Sequence, residues 1–338
     1  MPISRKIMGV SRAVAGPTGA LSGTTKISTG SSPSGICISP DDLNVYTANS
    51  GSNNVSIFAR NTSTGALSGT SSIAAGSGPD GICISPDGLN VYTANSGSNT
   101  VSIFARNTST GALSGTSSIA AGSGPSGICI SADGISVYAS NFNDNNVSIF
   151  ARNTSTGALS GTTKISIGYG GPQGICISGD GASVYAANQY GSSTQIFARN
   201  TSTGALSGTT KISTGSSPVG ICISGDGKNV YTNNYGSSNV SVFARNTSTG
   251  ALSGTTKIST GSIPRGICIS PDDLNVYTAN SGSNTVSIFA RNTSTGALSG
   301  TSSIAAGSSA RRICISADGK NVYATNSGSN NVSIFTRS

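Results

Sequence analysis

Proton-transfer chemistry has few places to reside in this chain of 338 residues, which contains no histidine, no glutamate and no tryptophan. General acid–base catalysis needs a positioned side chain of tuned pKa, usually a histidine or a pair of carboxylates. All eleven acidic residues here are aspartates. Asp41, Asp42, Asp87, Asp133, Asp180, Asp226, Asp272, Asp273 and Asp318 belong to one repeated turn, which leaves only Asp80 and Asp144 elsewhere. The cysteines Cys37, Cys83, Cys129, Cys176, Cys222, Cys268 and Cys314 are spaced by 46 residues, or 47 between Cys129 and Cys176. Metal sites need clustered spacings such as C-x-x-C, and none is present. One cysteine per copy of a repeat reads as a small buried hydrophobe, so neither a metal nor a cofactor is expected. A paired-carboxylate mechanism would have to rest on two aspartates from neighbouring copies of the repeat.

The elements that would position such a group are written seven times. The clearest copy runs GICISPDGLNVYTANSGSNTVSIFARN from Gly81 to Asn107, followed by TSTGALSGTSSIAAGSGPS. Each copy holds four segments of strand chemistry, because side chains alternate between faces at a period of two. GICIS is the first and ends at a Pro-Asp-Gly turn, a strong hairpin signal. NVYTAN is the second, broken by a Ser/Gly/Asn cluster. TVSIFAR is the third, with Val101, Ile103 and Ala105 on one face and Ser102, Phe104 and Arg106 on the other. ALSGTSSIAAG is the fourth and the most polar. Four antiparallel strands per repeat of about 40–45 residues is the arithmetic of a β-propeller. The last copy ends on its third strand, and the missing fourth lies at the other end of the chain, at 18–30. The expectation is an all-β, closed seven-bladed propeller, with residues 313–337 pairing with 18–30 to close the ring. Residues 1–15 form an N-terminal extension with a weak echo of the third strand in GVSRAVAG. Residues 16–338 are a single domain with blades at about 35–76, 81–122, 127–168, 174–215, 220–261, 266–307, and 313–338 plus 18–30.

At GSGPSGICISADG (122–134) and NVYTANSGSNTVSIFARNTSTGAL (90–113) the chain resembles the YVTN-type repeat of the bacterial lactonase-like propellers. That family includes 6-phosphogluconolactonase-like and muconate-cycloisomerase-like enzymes. The resemblance covers nearly all of the chain, from 18 to 338, through turn and core positions. It implies that first strands line a central channel and fourth strands lie outermost. It also implies that blade-connecting loops and the loops between second and third strands share one face, the top. On that geometry the residues before each Gly-Ile-Cys stand at the channel mouth: Ser34, Asp80, Ser126, Gln173, Val219, Arg265, and Arg311 with Arg312. Lactone-handling relatives carry proton carriers and arginines there, and this chain can supply neither histidine nor glutamate.

The net charge of +8 invites a nucleic-acid reading, but its source argues otherwise. Seven arginines (Arg60, Arg106, Arg152, Arg199, Arg245, Arg291 and Arg337) are the repeated third-strand arginine, spread around the ring near the repeated turn aspartates. Lys26, Lys164, Lys211 and Lys257 fall on fourth strands, where lysine discourages edge-to-edge pairing. No nucleic-acid partner is expected. The first residues lack the apolar run of about 7–15 of a secretory signal, and no stretch of about 20 apolar residues would span a membrane. With free cysteines, this makes the cytoplasm the default location. Six Asn-Thr-Ser triplets, beginning at Asn61, are explained by turn formation.

The copies disagree mainly in the loops assigned to the top face of the third to fifth blades. There the chain carries Phe142, Asp144, Tyr169, Gln173, Gln189, Tyr190 and Tyr235, with Arg265 and Arg311 farther on. Loops on a rigid scaffold are favoured sites of binding, and aromatic and arginine side chains are common anchors. These residues lead to the expectation of a non-enzymatic scaffold that binds a protein or glycan. Two alternatives stand beside it: a structural or surface repeat protein whose blades serve assembly, and, as the resemblance implies, a lactonase-like hydrolase or cycloisomerase with an atypical Asp/Arg channel site, for which Asp80, Arg265 and Arg311 are the candidates. A monomer is expected unless assembly is the role.

Overall fold

Short runs of alternating apolar and polar residues, punctuated by Asp-Gly and Asn-rich turns, build strands and nothing else. A computed structural model describes residues 18–338, and these form twenty-eight strands, β1 to β28 in chain order. In the first blade β2 (Pro33–Ile38), β3 (Asn44–Asn49), β4 (Asn54–Arg60) and β5 (Leu67–Ala74) pair antiparallel in that order. Cys37 stands opposite Tyr46, and Tyr46 opposite Ile57. Five more sheets repeat the plan. In the seventh, β1 (Leu21–Ser28) takes the outer place beside β28 (Asn331–Arg337), outside β27 (Asn321–Asn326) and β26 (Ala310–Ile315). The protein is a seven-bladed β-propeller. Pairing of Leu21 with Arg337 through Ser28 with Asn331 closes the ring. The expected extension at 1–15 and its strand echo lie outside the described residues. Among the described residues no helix is long and apolar enough to cross a membrane.

The core is seven interfaces rather than one centre. Between the first two blades Tyr46, Val55 and Ile57 meet Ile82, Val91 and Phe104. Alternation explains the split: Val101 and Ile103 face the third blade, while Phe104 faces the first. Ala105, expected beside Val101 and Ile103, is exposed instead, at a register shift in the pairing with the outer strand. Tyr46 and Phe58 are fully buried, and each such ring removes enough apolar surface to contribute about 2 kcal/mol.

A polar clasp closes the rim of every interface. Arg106 donates from Nε to the Tyr46 hydroxyl at 2.8 Å and from Nη2 to Asp41 and Asn44, both at 2.7 Å. Tyr46 in turn donates to the Gly111 carbonyl at 2.8 Å. The same arginine-to-aspartate pair recurs at all seven interfaces, from Arg60 with Asp318 to Arg337 with Asp272. Most of the repeated positive charge is therefore neutralised within the ring. In the first and sixth blades Asp42 and Asp273 occupy a left-handed backbone position, with φ of 61° and 62°. Their carboxylates repay the strain by accepting backbone N–H groups of the neighbouring turn, as Asp42 does from Ala317 at 2.8 Å and Asp318 at 2.9 Å.

The clasps set the acid limit of the fold. Burial opposes ionisation of Asp226, but hydrogen bonds from Ser224, the Lys228 amide and Arg291 outweigh it and bring its pKa to about 2. Asp41, Asp87, Asp133, Asp180, Asp272 and Asp318 are lowered in the same way. A carboxyl with a depressed folded-state pKa stabilises above its unfolded value, near 4, and loses that contribution as pH falls through the folded value. Far-ultraviolet circular dichroism is therefore expected to show the fold intact above pH 4 and lost between about pH 4 and 2. A transition centred above pH 5 would contradict this linkage. At the other end of the scale, burial raises the thiols of Cys176 and Cys314 to about 12, which suits packing and not nucleophilic work.

Candidate functional site at the channel mouth

The first strands converge on the axis so closely that little room is left for side chains where they meet. A Cβ at Gly35 would collide with the Asp80 carbonyl, and one at Gly81 with the Ser126 carbonyl. Glycine accordingly fills this ring position in six blades. The seventh carries Arg312. The Gly-Ile pairs, with Arg312 and Ile313, line a channel with a cavity of about 140 Å³.

Above that ring lies the group of charges whose types the sequence marked. Asp80 accepts hydrogen bonds from the Ser34 hydroxyl, from Ser126 at 2.7 Å and from Arg311 Nη2 at 3.1 Å. Four blades thus meet on one carboxylate whose side chain is 13% exposed. Burial raises its pKa, but Arg311, Arg312 and the two serines prevail and hold it at about 2. Asp80 is ionised at any physiological pH. Arg312 reaches the Arg265 carbonyl from Nη1 at 3.5 Å. Burial, with Arg311 and Arg265 opposing the pull of Asp80, lowers the affinity of Arg312 for its proton. Arg265 is lowered too, first by burial and then by Arg311, and its guanidinium lies 4.9 Å from the Tyr235 ring centroid. Three guanidiniums thus share one carboxylate in a partly enclosed space. That excess attracts anions and stabilises negative charge developing on oxygen.

The other divergent residues divide into two groups. Phe142, Gln189 and Tyr235 occupy one repeat position, filled by serine in the other four blades. Gln173 donates to Gln189 at 2.6 Å. The Tyr190 ring stacks on Tyr169 with centroids 6.0 Å apart and tilts against Phe142 at 5.2 Å. A groove lined by Asp80, Ser126, Gln173, Asn143 and Phe142 joins this aromatic group to the carboxylate. Asp144 does not belong to it. Its carboxylate pairs with Lys164 on the outer strand at 3.6 Å and accepts the Ser123 N–H at 2.9 Å. Sequence reasoning placed Arg312 at the channel mouth but not among the candidate site residues, although it is the one residue that interrupts the Gly-Ile-Cys series. The bonds from Ser34 and Ser126 had no signal, since serine is common throughout. Among the described residues no three His, Cys, Asp or Glu side chains gather as a metal site would require.

The model of the family described as "Lactonase, 7-bladed beta-propeller" matches residues 17–124, 116–221 and 210–311. The chain belongs to this family. Its fold is similar to that of a provisionally designated 6-phosphogluconolactonase from Bacteroides fragilis, at 21% identity and a TM-score of 0.73, covering 83% of this chain and 86% of that one. A periplasmic gluconolactonase from Pseudomonas aeruginosa is similar at 20% identity and a TM-score of 0.73, over 82% and 86% of the two chains. Hydrazine synthase from Kuenenia stuttgartiensis shares the fold at 20% identity and a TM-score of 0.73, over 92% and 97%. No curated protein matches the chain in sequence. These findings correct the expectation of a non-enzymatic scaffold for a protein or glycan. The family match favours the lactonase-like alternative instead.

Proposed function

We propose that this protein hydrolyses the ring ester of a sugar lactone at the top of the channel, with Asp80, Arg265, Arg311 and Arg312 as the working group. The observation that carries this reading is the under-neutralised arginine cluster around a single carboxylate, in a member of the lactonase family. Water adds to the lactone carbonyl carbon, and negative charge moves onto the carbonyl oxygen. Guanidinium N–H groups of Arg311 and Arg312 stabilise that charge. The ring C–O bond then breaks, the leaving oxygen takes a proton from solvent, and the water proton is released. The product is a hydroxy carboxylate, whose new charge suits the same arginines. Asp80, with a pKa of about 2, orients water and holds Arg311 rather than storing a proton. The same value argues against cycloisomerisation, which must move a proton to or from carbon.

Titration of acid release from glucono-1,5-lactone and from its 6-phosphate, in excess of spontaneous opening, tests the proposal. Catalysed opening of either one, lost in Arg311→Ala, is the expected result. Rates equal to the uncatalysed background with both lactones would overturn it.

A further inference from the structure

The channel mouth accounts for a lactone ring but leaves an aromatic surface beside it without a task. Tyr169 is 79% exposed and Tyr190 55%, whereas Tyr46 and its six equivalents are wholly buried. Tyr169 and Tyr190 form a trio with the half-buried Phe142, drawn from three separate segments. Phe142 lies between β11 (Ser136–Asn141) and β12 (Asn146–Arg152). Tyr169 lies between β13 (Leu159–Ser166) and β14 (Pro172–Ile177), and Tyr190 between β15 (Ser183–Asn188) and β16 (Ser193–Arg199). The connector holding Tyr169 falls in the one interval where the repeat is a residue longer, between Cys129 and Cys176. Gly171 in that connector has φ of 56°, and a Cβ there would press on both Phe142 and Tyr190 at 2.9 Å. The backbone is thus shaped to bring the rings together.

Resting on the hydrolase reading above, we propose that Phe142, Tyr169 and Tyr190 form a subsite for a second sugar ring, so that the preferred substrate is the lactone of a disaccharide. The groove runs from Asp80 and Ser126 to Phe142, so a ligand placed there touches the carboxylate that holds Arg311 at one end and the ring on which Tyr190 packs at the other. An aromatic face carries negative quadrupole charge and receives the C–H face of a sugar, while it repels an anion. Gln173 and Asn143, which line the groove, present amides able to bond hydroxyl groups. A phosphate would find its partners only at the arginines. The lactone ring sits at the arginines, and the non-reducing sugar lies outward on the tyrosines.

The test compares kcat/KM for glucono-1,5-lactone and maltobiono-1,5-lactone in the native protein, in Tyr190→Ala and in Lys164→Ala as a surface control. Stacking of this kind is expected to favour the disaccharide lactone by about tenfold. Tyr190→Ala should bring that ratio close to one, whereas Lys164→Ala should keep it. Equal kcat/KM for the two lactones in the native protein, or a ratio unmoved in Tyr190→Ala, overturns the subsite. If neither lactone is opened, nor the 6-phosphate of gluconolactone, the hydrolase reading fails, and calorimetry with maltobionate against gluconate still decides the subsite. Tighter binding of maltobionate that disappears in Tyr190→Ala supports it, and equal affinities refute it.

Discussion

Arg312→Gly should lose about 100-fold or more in lactone hydrolysis, the usual consequence of removing one donor from a developing oxyanion, while melting no lower than the native chain. The two halves of this expectation have separate causes. Glycine is the residue of the six equivalent ring positions, so the backbone already accepts it and nothing in the blade need move. The guanidinium is enclosed among Arg265, Arg311 and a single carboxylate, so its removal also relieves repulsion. Arg312→Lys should keep part of the activity, because an ammonium retains charge but lacks the planar fork. Thermal unfolding and steady-state kinetics on the same preparations check both halves. A variant with native kcat/KM would show that Arg312 makes no contact with the reacting carbonyl.

Arg152→Ala should cost about 1–3 kcal/mol of stability, the range for buried polar groups left without a hydrogen-bond donor. Arg152 is enclosed between blades and donates to the Tyr92 hydroxyl at 2.8 Å, to Asp87 and Asn90 at 2.7 Å each, and to the Gly134 carbonyl at 3.1 Å. Alanine leaves Asn90 and the Gly134 carbonyl without this donor in a closed space, while the Asp87 carboxylate, about a third exposed, can turn to water. Lys164→Ala removes an exposed pair with Asp144, and such pairs are worth at most about 1 kcal/mol. Urea unfolding midpoints of the two variants measure the contrast. Equal small shifts would mean that the clasp is dispensable and that apolar packing alone joins the blades.

The amino-acid sequence by itself determined the blade count, the four-stranded plan and the closing pair between residues 18–30 and the final strand. These follow from a repeat period and from alternation along each strand, which are local properties and survive in a one-dimensional reading. The partnership of repeated arginines with turn aspartates was also legible as a charge balance. That each arginine reaches across to the preceding blade was not, because the reach depends on how two sheets stack. The Asn-Thr-Ser-Thr-Gly turns were read correctly: Asn61 Oδ1 accepts the N–H groups of Ser63 and Thr64, each at 3.0 Å.

Only the tertiary structure decided what the divergent residues do together. Ser34, Asp80, Ser126 and Arg311 come from four blades, and Ser34 and Arg311 stand 277 positions apart in the numbering (311 − 34). No local pattern can announce a contact made by closing a ring. The same closure separated Asp144 from its supposed companions and drew it to Lys164. It also turned Arg312, one irregularity in a glycine series, into the cation at the centre of the channel mouth. A repeat makes its scaffold readable because every copy restates the same local physics. The site is built from the exceptions, and their meaning depends on which exceptions face one another across the axis.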